Sequence, residues 1–113
     1  MTENIAEKSC TPCRGGIPPL TRDQAAGYVS QTPGWDLLDD GHLIRRKFKF
    51  DDFKQALAFV DKVGRLAEEE RHHPDVCFGW GYVEISLQTK KIKGLHENDF
   101  ILAAKVNHLP RSS

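Results

Sequence analysis

The sequence lacks three features that mark large classes of protein. It has no excess of charge of one sign, because 16 Lys and Arg side chains balance 16 Asp and Glu side chains. Binding to nucleic acid or to an anionic membrane through net charge is therefore not expected. No apolar run is long enough to span a bilayer, and residues 1–8 are too polar for a secretory signal. We expect a cytoplasmic protein that does not contact membranes.

Cysteine is also scarce. Cys10, Cys13 and Cys77 are an odd number with one close pair, which does not fit a disulfide framework. The run Cys10-Thr11-Pro12-Cys13 could be a redox motif or half of a zinc site, but it lies in a stretch rich in proline and glycine, and zinc would need two more ligands. No His-x-His or His-Glu-x-x-His pattern is present. We expect reduced thiols and no metal centre.

A chain of 113 residues fits one domain with one modest core. Residues 1–20 show no apolar periodicity and are predicted to form a flexible N-terminal arm that carries Cys10 and Cys13. Residues 21–110 are predicted to form a single domain, and residues 111–113 a tail.

Apolar residues recur at helical spacing in three segments and at alternate positions in two hairpins. The predicted order is a helix over 22–31, strands over 35–38 and 43–50, a long helix from Asp51 or Asp52 to His72 or His73, strands over 76–78 and 82–87, and a helix over 97–108. This order predicts an α+β fold, a two-layer sandwich in which helices pack on one face of a four-stranded, mostly antiparallel sheet.

Two adjacent histidines, His72 and His73, precede Pro74 at the predicted end of the long helix. Glu68 lies four residues before His72 and Glu69 four before His73, so each carboxylate could face one imidazole across a helical turn. A nearby carboxylate and a helix C-terminus both favour the imidazolium form, and histidine exchanges protons near neutral pH. The cluster is a candidate for general acid–base catalysis. Adjacency alone also fits two solvated histidines at a frayed helix end.

The segment 43–106 resembles the pterin-4a-carbinolamine dehydratase family. The matching residues are Phe48-Lys49-Phe50, Phe53, Glu68, His72-His73-Pro74, Trp80, Val83 to Leu87, Thr89, Gly94-Leu95, Asp99 and Ala103-Ala104, and the earlier Trp35 also fits. The resemblance implies the same α+β sandwich. It also implies a reaction that removes water from 4a-hydroxytetrahydropterin to give quinonoid dihydropterin, which recycles the cofactor of aromatic amino-acid hydroxylases. No metal or cofactor is implied, because the reduced pterin is the substrate.

The resemblance also assigns roles to individual residues. His72 and His73 would be the acid–base pair, with Glu68 as an orienting carboxylate. The residues expected to contact the pterin are Arg71, Pro74, Trp80, Gln88, Thr89, Lys91 and Asp99. Two of these have structural alternatives: Asp99 could close the first turn of the last helix as an acidic N3 residue, and Trp80 could fill the second hairpin.

One position departs from the family pattern. The family carries a third histidine after the threonine that ends the fourth strand, and this chain has Lys90 there. A lysine can stabilise the departing hydroxyl as a fixed cation, but it is a poor base at neutral pH unless burial lowers its pKa by several units. We keep Lys90 among the catalytic candidates and expect slower dehydration.

The alternative is a weakly active or inactive member with a binding or regulatory role. Some members of the family act as dimerisation cofactors of a transcription factor, and they dock through helices rather than through the active site. In either case the resemblance implies a homodimer or a homotetramer.

Overall fold

The computed structural model describes residues 5–11 and 17–111, so Cys13 lies outside the described residues. Within them, three α-helices and four strands follow one another: α1 Arg22–Val29, β1 Asp36–Leu38, β2 Leu43–Lys49, α2 Phe53–Glu70, β3 Asp75–Gly79, β4 Tyr82–Leu87 and α3 Glu97–Asn107. Short 3-10 helices lie at Ile5–Glu7, Asp39–Gly41 and Lys90–Ile92. No helix in this part of the chain combines the length and the apolar character needed to cross a membrane.

The four strands form one antiparallel sheet in the order β1-β2-β4-β3. Each hairpin contributes two neighbouring strands, and the hairpins join where Phe48 of β2 lies opposite Val83 of β4. Side chains alternate along the strands, so that Val83, Ile85 and Leu87 are buried while their neighbours are partly exposed. The predicted α+β sandwich, with helices packed on an antiparallel sheet, is confirmed.

The long helix α2 buries one apolar stripe. Its buried residues are spaced three or four apart, as one face of a helix requires: Ala56, Phe59, Val63 and Ala67. Phe53 and Leu57 are also apolar and lie on the same helix, but both side chains are exposed. The stripe faces the core, where the ring of Phe59 packs against Phe48.

The last helix, α3, lies at the centre of the packing. Residues 98–104 and Val106 are all buried, because the helix contacts α1, α2 and the segment Ile5–Glu7. Tyr28 of α1 stacks on Phe100 with ring centroids 5.0 Å apart. Ile5 is buried in the same core, so residues 5–11 of the predicted arm lie against the domain. This packing fixes the N-terminus of α3, which supplies part of the candidate site.

Candidate functional site

The histidine pair lies where α2 gives way to β3. Helix α2 ends at Glu70, earlier than predicted, because Arg71 adopts a left-handed conformation with φ of +56° and its N–H donates to the carbonyl of Ala67. The His72 N–H donates to the same carbonyl at 3.2 Å. A left-handed residue other than glycine costs about 1–2 kcal/mol. After this turn the two imidazoles point in different directions, and each contacts a different carboxylate.

His72 faces inward and contacts Asp99. Its side chain is 11% exposed, and its Nε2 lies 2.6 Å from Oδ1 of Asp99, whose side chain is 0% exposed. The other oxygen of Asp99 accepts from Thr89 Oγ1 at 2.8 Å and from the backbone N–H of His96 at 2.9 Å. The carboxylate therefore links the cleft to the first turn of α3, and it does so while closing that turn as the acidic N3 residue. The structural alternative for Asp99 is confirmed, and its contact with the pterin stays a prediction.

His73 faces outward and contacts Glu68 through its Nε2. Its side chain is 61% exposed, so the ring is open to solvent at the mouth of the cleft. The predicted pairing of Glu68 with His72 and of Glu69 with His73 was therefore wrong. The left-handed Arg71 ends the helical spacing on which that pairing depended, and it brings Glu68 to His73 instead.

An open cleft of about 950 Å³ lies beside the histidines. Seven of the predicted site residues line it: Arg71, His72, His73, Gln88, Thr89, Lys90 and Lys91. The segment from Thr89 to Gly94 forms a tight loop, because the N–H of Thr89 donates to the carbonyl of Gly94 at 2.8 Å. The Nζ of Lys90 lies 3.3 Å from Oδ1 of Asp75, and both side chains are largely exposed. Lys90 thus places a positive charge at the edge of the cleft.

Three predicted contacts in the described part of the chain are not part of the lining of this cleft: Pro74, Trp80 and Asp99. Glu68, the predicted orienting carboxylate, is not part of the lining either. Trp80 is 72% exposed at the tip of the hairpin that joins β3 to β4, at the far end of β3 from His73. Its side chain does not fill the hairpin. The roles of all the predicted site residues, including these four, stay predictions.

Sequence reasoning missed the contribution of the N-terminal arm. Ser9, Cys10 and Thr11 line the cleft together with Glu69 and Glu70. Burial, followed by the negative charge of Glu70, raises the pKa of the Cys10 thiol to about 12. These contacts join residues about 60 positions apart, and no short-range pattern indicates them. Cys10 and Cys77 are both free thiols.

Across residues 5–11 and 17–111, no three His, Cys, Asp or Glu side chains come together in an arrangement that could hold a metal ion. Cys13, one half of the predicted Cys-x-x-Cys pair, lies outside these ranges.

Comparisons with known proteins converge on one family. A family model described as pterin 4 alpha carbinolamine dehydratase matches residues 18–109. A protein of Aromatoleum aromaticum named "Putative pterin-4-alpha-carbinolamine dehydratase" is 56% identical over 109 residues, covering 96% of this chain and 97% of its own length. A protein of Cupriavidus pinatubonensis with the same name, numbered 1, is also 56% identical and covers 96% of this chain and 94% of its own length.

Two solved structures share the fold. A transcriptional coactivator/pterin dehydratase from Brucella melitensis superposes with a TM-score of 0.73 at 31% identity, covering 79% of this chain and 95% of that one. A pterin dehydratase-like protein identified as a RuBisCO assembly factor in the alpha-carboxysome gives a TM-score of 0.57 at 29% identity, covering 66% of this chain and 86% of that one.

The carboxylate of Asp99 accepts from three donors, and substitutions can test how much this arrangement stabilises the fold. Asp99→Asn should lower the free energy of unfolding by about 2–4 kcal/mol, because an amide cannot accept from all three donors that now share the carboxylate. Thr89→Val removes one of those donors and should cost about 1 kcal/mol. Urea unfolding followed by circular dichroism measures both. Equal losses in the two variants would contradict the role of Asp99 as a shared acceptor.

Proposed function

The chain belongs to the pterin-4a-carbinolamine dehydratase family, and we propose that it dehydrates the 4a-hydroxy adduct of a reduced pterin in the cleft beside His72 and His73. The observation that supports this most is that two imidazoles line one cleft, each in contact with its own carboxylate. The product, a quinonoid dihydropterin, would return to the tetrahydropterin cycle. We propose no cofactor beyond the pterin itself.

The reaction needs one proton delivered and one proton removed. As the C4a–O bond breaks, the hydroxyl must take up a proton to leave as water, and a ring nitrogen must release a proton as its electrons form the new double bond. An imidazolium and a neutral imidazole can perform these two steps. The pair then ends with its protonation states exchanged and with no net proton gained. Asp99 and Glu68 would hold the rings in place for the transfers.

His72 and His73 would not be equivalent in this mechanism. His72 is nearly buried and fixed by Asp99, whereas His73 is open at the mouth of the cleft with Glu68 behind it. The exposed ring can re-equilibrate with bulk water between turnovers, and the buried ring keeps a fixed orientation toward the substrate. Lys90 would act as a fixed positive charge beside the leaving oxygen, since lysine ordinarily stays protonated at neutral pH.

Lys90 also favours a second candidate function, the binding of a protein partner. Lys90 replaces the third histidine of the family pattern and is paired with Asp75 at the surface. A member with little turnover could bind a protein partner, and two solved relatives are described as a coactivator and as an assembly factor. An inactive purified protein that captures a specific partner would favour this function over catalysis.

We also propose that the protein forms a homo-oligomer. The large exposed apolar side chains Phe53, Leu57, Val76 and Trp80 lie on α2 and on the edge hairpin of β3. Phe53 and Phe78 bring these two elements into contact, with ring centroids 5.4 Å apart. An apolar patch on an edge strand is typical of a surface that a second copy covers.

His73→Ala should lower kcat/KM for dehydration by about 100-fold or more, because it removes one partner of the proton exchange. The loss of 4a-hydroxytetrahydropterin, followed by stopped-flow absorbance, measures the rate. His108→Ala is the control, since His108 is exposed at the C-terminal end of α3 and lies outside the cleft. A His73→Ala protein with an unchanged rate would refute the assignment.

Lys90→His should raise the dehydration rate by about tenfold, because an imidazole can exchange protons at neutral pH and an ammonium group ordinarily cannot. Lys93→His, at an exposed position after the same 3-10 helix and outside the cleft lining, is the matched control and should change the rate by less than about twofold. If the unsubstituted protein is inactive and Lys90→His gains activity, the binding function is favoured for the natural chain.

Leu57→Glu should reduce the molar mass in solution to that of one chain, because a carboxylate on the apolar patch opposes its burial against a copy. Light scattering after size exclusion should give a multiple of 12.8 kDa for the unsubstituted protein. Arg65→Glu changes an exposed position of the same helix, and that variant should keep the larger mass. A single-chain mass for the unsubstituted protein would contradict the proposal.

A further inference from the structure

The cleft has a second wall, which the N-terminal arm supplies. Ser9, Cys10 and Thr11 line the cleft together with residues 88–91 and with the last residues of α2. A small-molecule site normally covers most of its ligand's surface. The arm therefore adds three residues to the surface that a ligand beside the histidines would contact.

Two side chains of the domain hold this part of the arm. Asn98, which is buried, accepts from the N–H of Thr11 at 2.9 Å and donates through Nδ2 to the carbonyl of Thr11 at 2.6 Å. Glu70 accepts from the N–H of Cys10 at 2.9 Å. Side chains of the domain therefore bind three backbone groups of the arm, which are the N–H of Cys10 and both the N–H and the carbonyl of Thr11. We call Asn98 and Glu70 the arm latch.

The arm latch is continuous with the groups that position the histidines. Asn98 and Asp99 are neighbours in the first turn of α3, where one holds the arm and the other contacts His72. Glu70 is the last residue of α2, and its other oxygen lies 3.8 Å from Nζ of Lys105. The arm therefore docks on the same two helix ends that carry the partners of the imidazoles.

We propose that residues 9–11 are a binding wall for the substrate, and that docking of the arm through Asn98 and Glu70 sets how tightly the cleft holds a reduced pterin. This inference rests on the proposed function for the identity of the ligand. The side-chain hydroxyls of Ser9 and Thr11 can each donate and accept a hydrogen bond, which suits the polar edge of a flat heterocycle. Asn98 is a positioning residue in this account.

Residues 5–8 of the arm have their own contacts with the domain. Ile5 is buried in the core, and Nζ of Lys8 lies 3.0 Å from Oε2 of Glu97. The hydrogen-bonded ion pair with Lys8 lowers the pKa of the Glu97 carboxyl, and this effect outweighs burial, which acts to raise the pKa. A substitution at Asn98 should therefore free residues 9–11 without detaching the segment before them.

Cys10 reports on the arm directly. In a Cys13→Ser, Cys77→Ser background it is the single thiol of a chain with three cysteines. Thiolate is the reactive form, and the raised pKa of docked Cys10 keeps it scarce. Asn98→Ala should speed iodoacetamide labelling at pH 8 by about tenfold or more. In the same background with Asn98 intact, 7,8-dihydropterin should slow labelling, since it would lie against the arm.

Binding and turnover supply the second readout. Asn98→Ala should raise the dissociation constant of 7,8-dihydropterin and the KM of the substrate by about fivefold or more, with kcat changed by less than about twofold. Asn98→Asp, which keeps the acceptor for Thr11 but loses the donor, should give a smaller change in the same direction. Thr21→Ala is the control, because it removes a helix cap from α1 and leaves the arm in place. Thermal unfolding verifies that each variant is folded.

The outcomes separate this inference from the proposed function. If the unsubstituted protein binds the pterin and Asn98→Ala binds it equally tightly, the inference is overturned and the proposed function stands. If the unsubstituted protein does not bind the pterin, the proposed function fails and the inference fails with it. Faster Cys10 labelling together with weaker pterin binding in Asn98→Ala supports both.

Discussion

The buried carboxylate of Asp99 is the interaction on which the rest of the site depends. It joins three segments that are distant in the chain, since its partners are His72 at the end of α2, Thr89 after β4, and the backbone of His96 before α3. A buried acceptor of this kind is costly when it loses its donors, so each segment is held where the others need it. Two of its partners, His72 and Thr89, line the cleft, so this one buried group helps to place two parts of the cleft wall.

Much of the fold follows from local patterns that the sequence displays. Helical spacing of apolar residues in three segments and their alternation in two hairpins each predict an element that the structure contains. These patterns act over a few residues, and the physical cause lies within the same few residues. Element order and the antiparallel sheet could therefore be predicted, together with the presence of His72 and His73 at a helix end.

The arrangement of the site could not be predicted in the same way. The left-handed conformation of Arg71 cannot be recognised from residue spacing. Because of it, each imidazole contacts a carboxylate other than the predicted one. The contacts of Thr11 with Asn98 span 87 positions and depend on how the arm packs against α3. Only the tertiary fold brings these groups together, because each is an ordinary polar residue in its own segment.

The short connection from α2 to β3 carries a constraint on chain length. It consists of residues 71–74, between a helix fixed by its buried stripe and a strand fixed by its register on β4. One residue more or fewer would turn His72 away from Asp99, or shift β3 by one position so that its two faces exchange. Insertions and deletions are therefore expected to be excluded from this connection in related sequences, whereas the tip at Trp80, which projects into solvent, can vary in length.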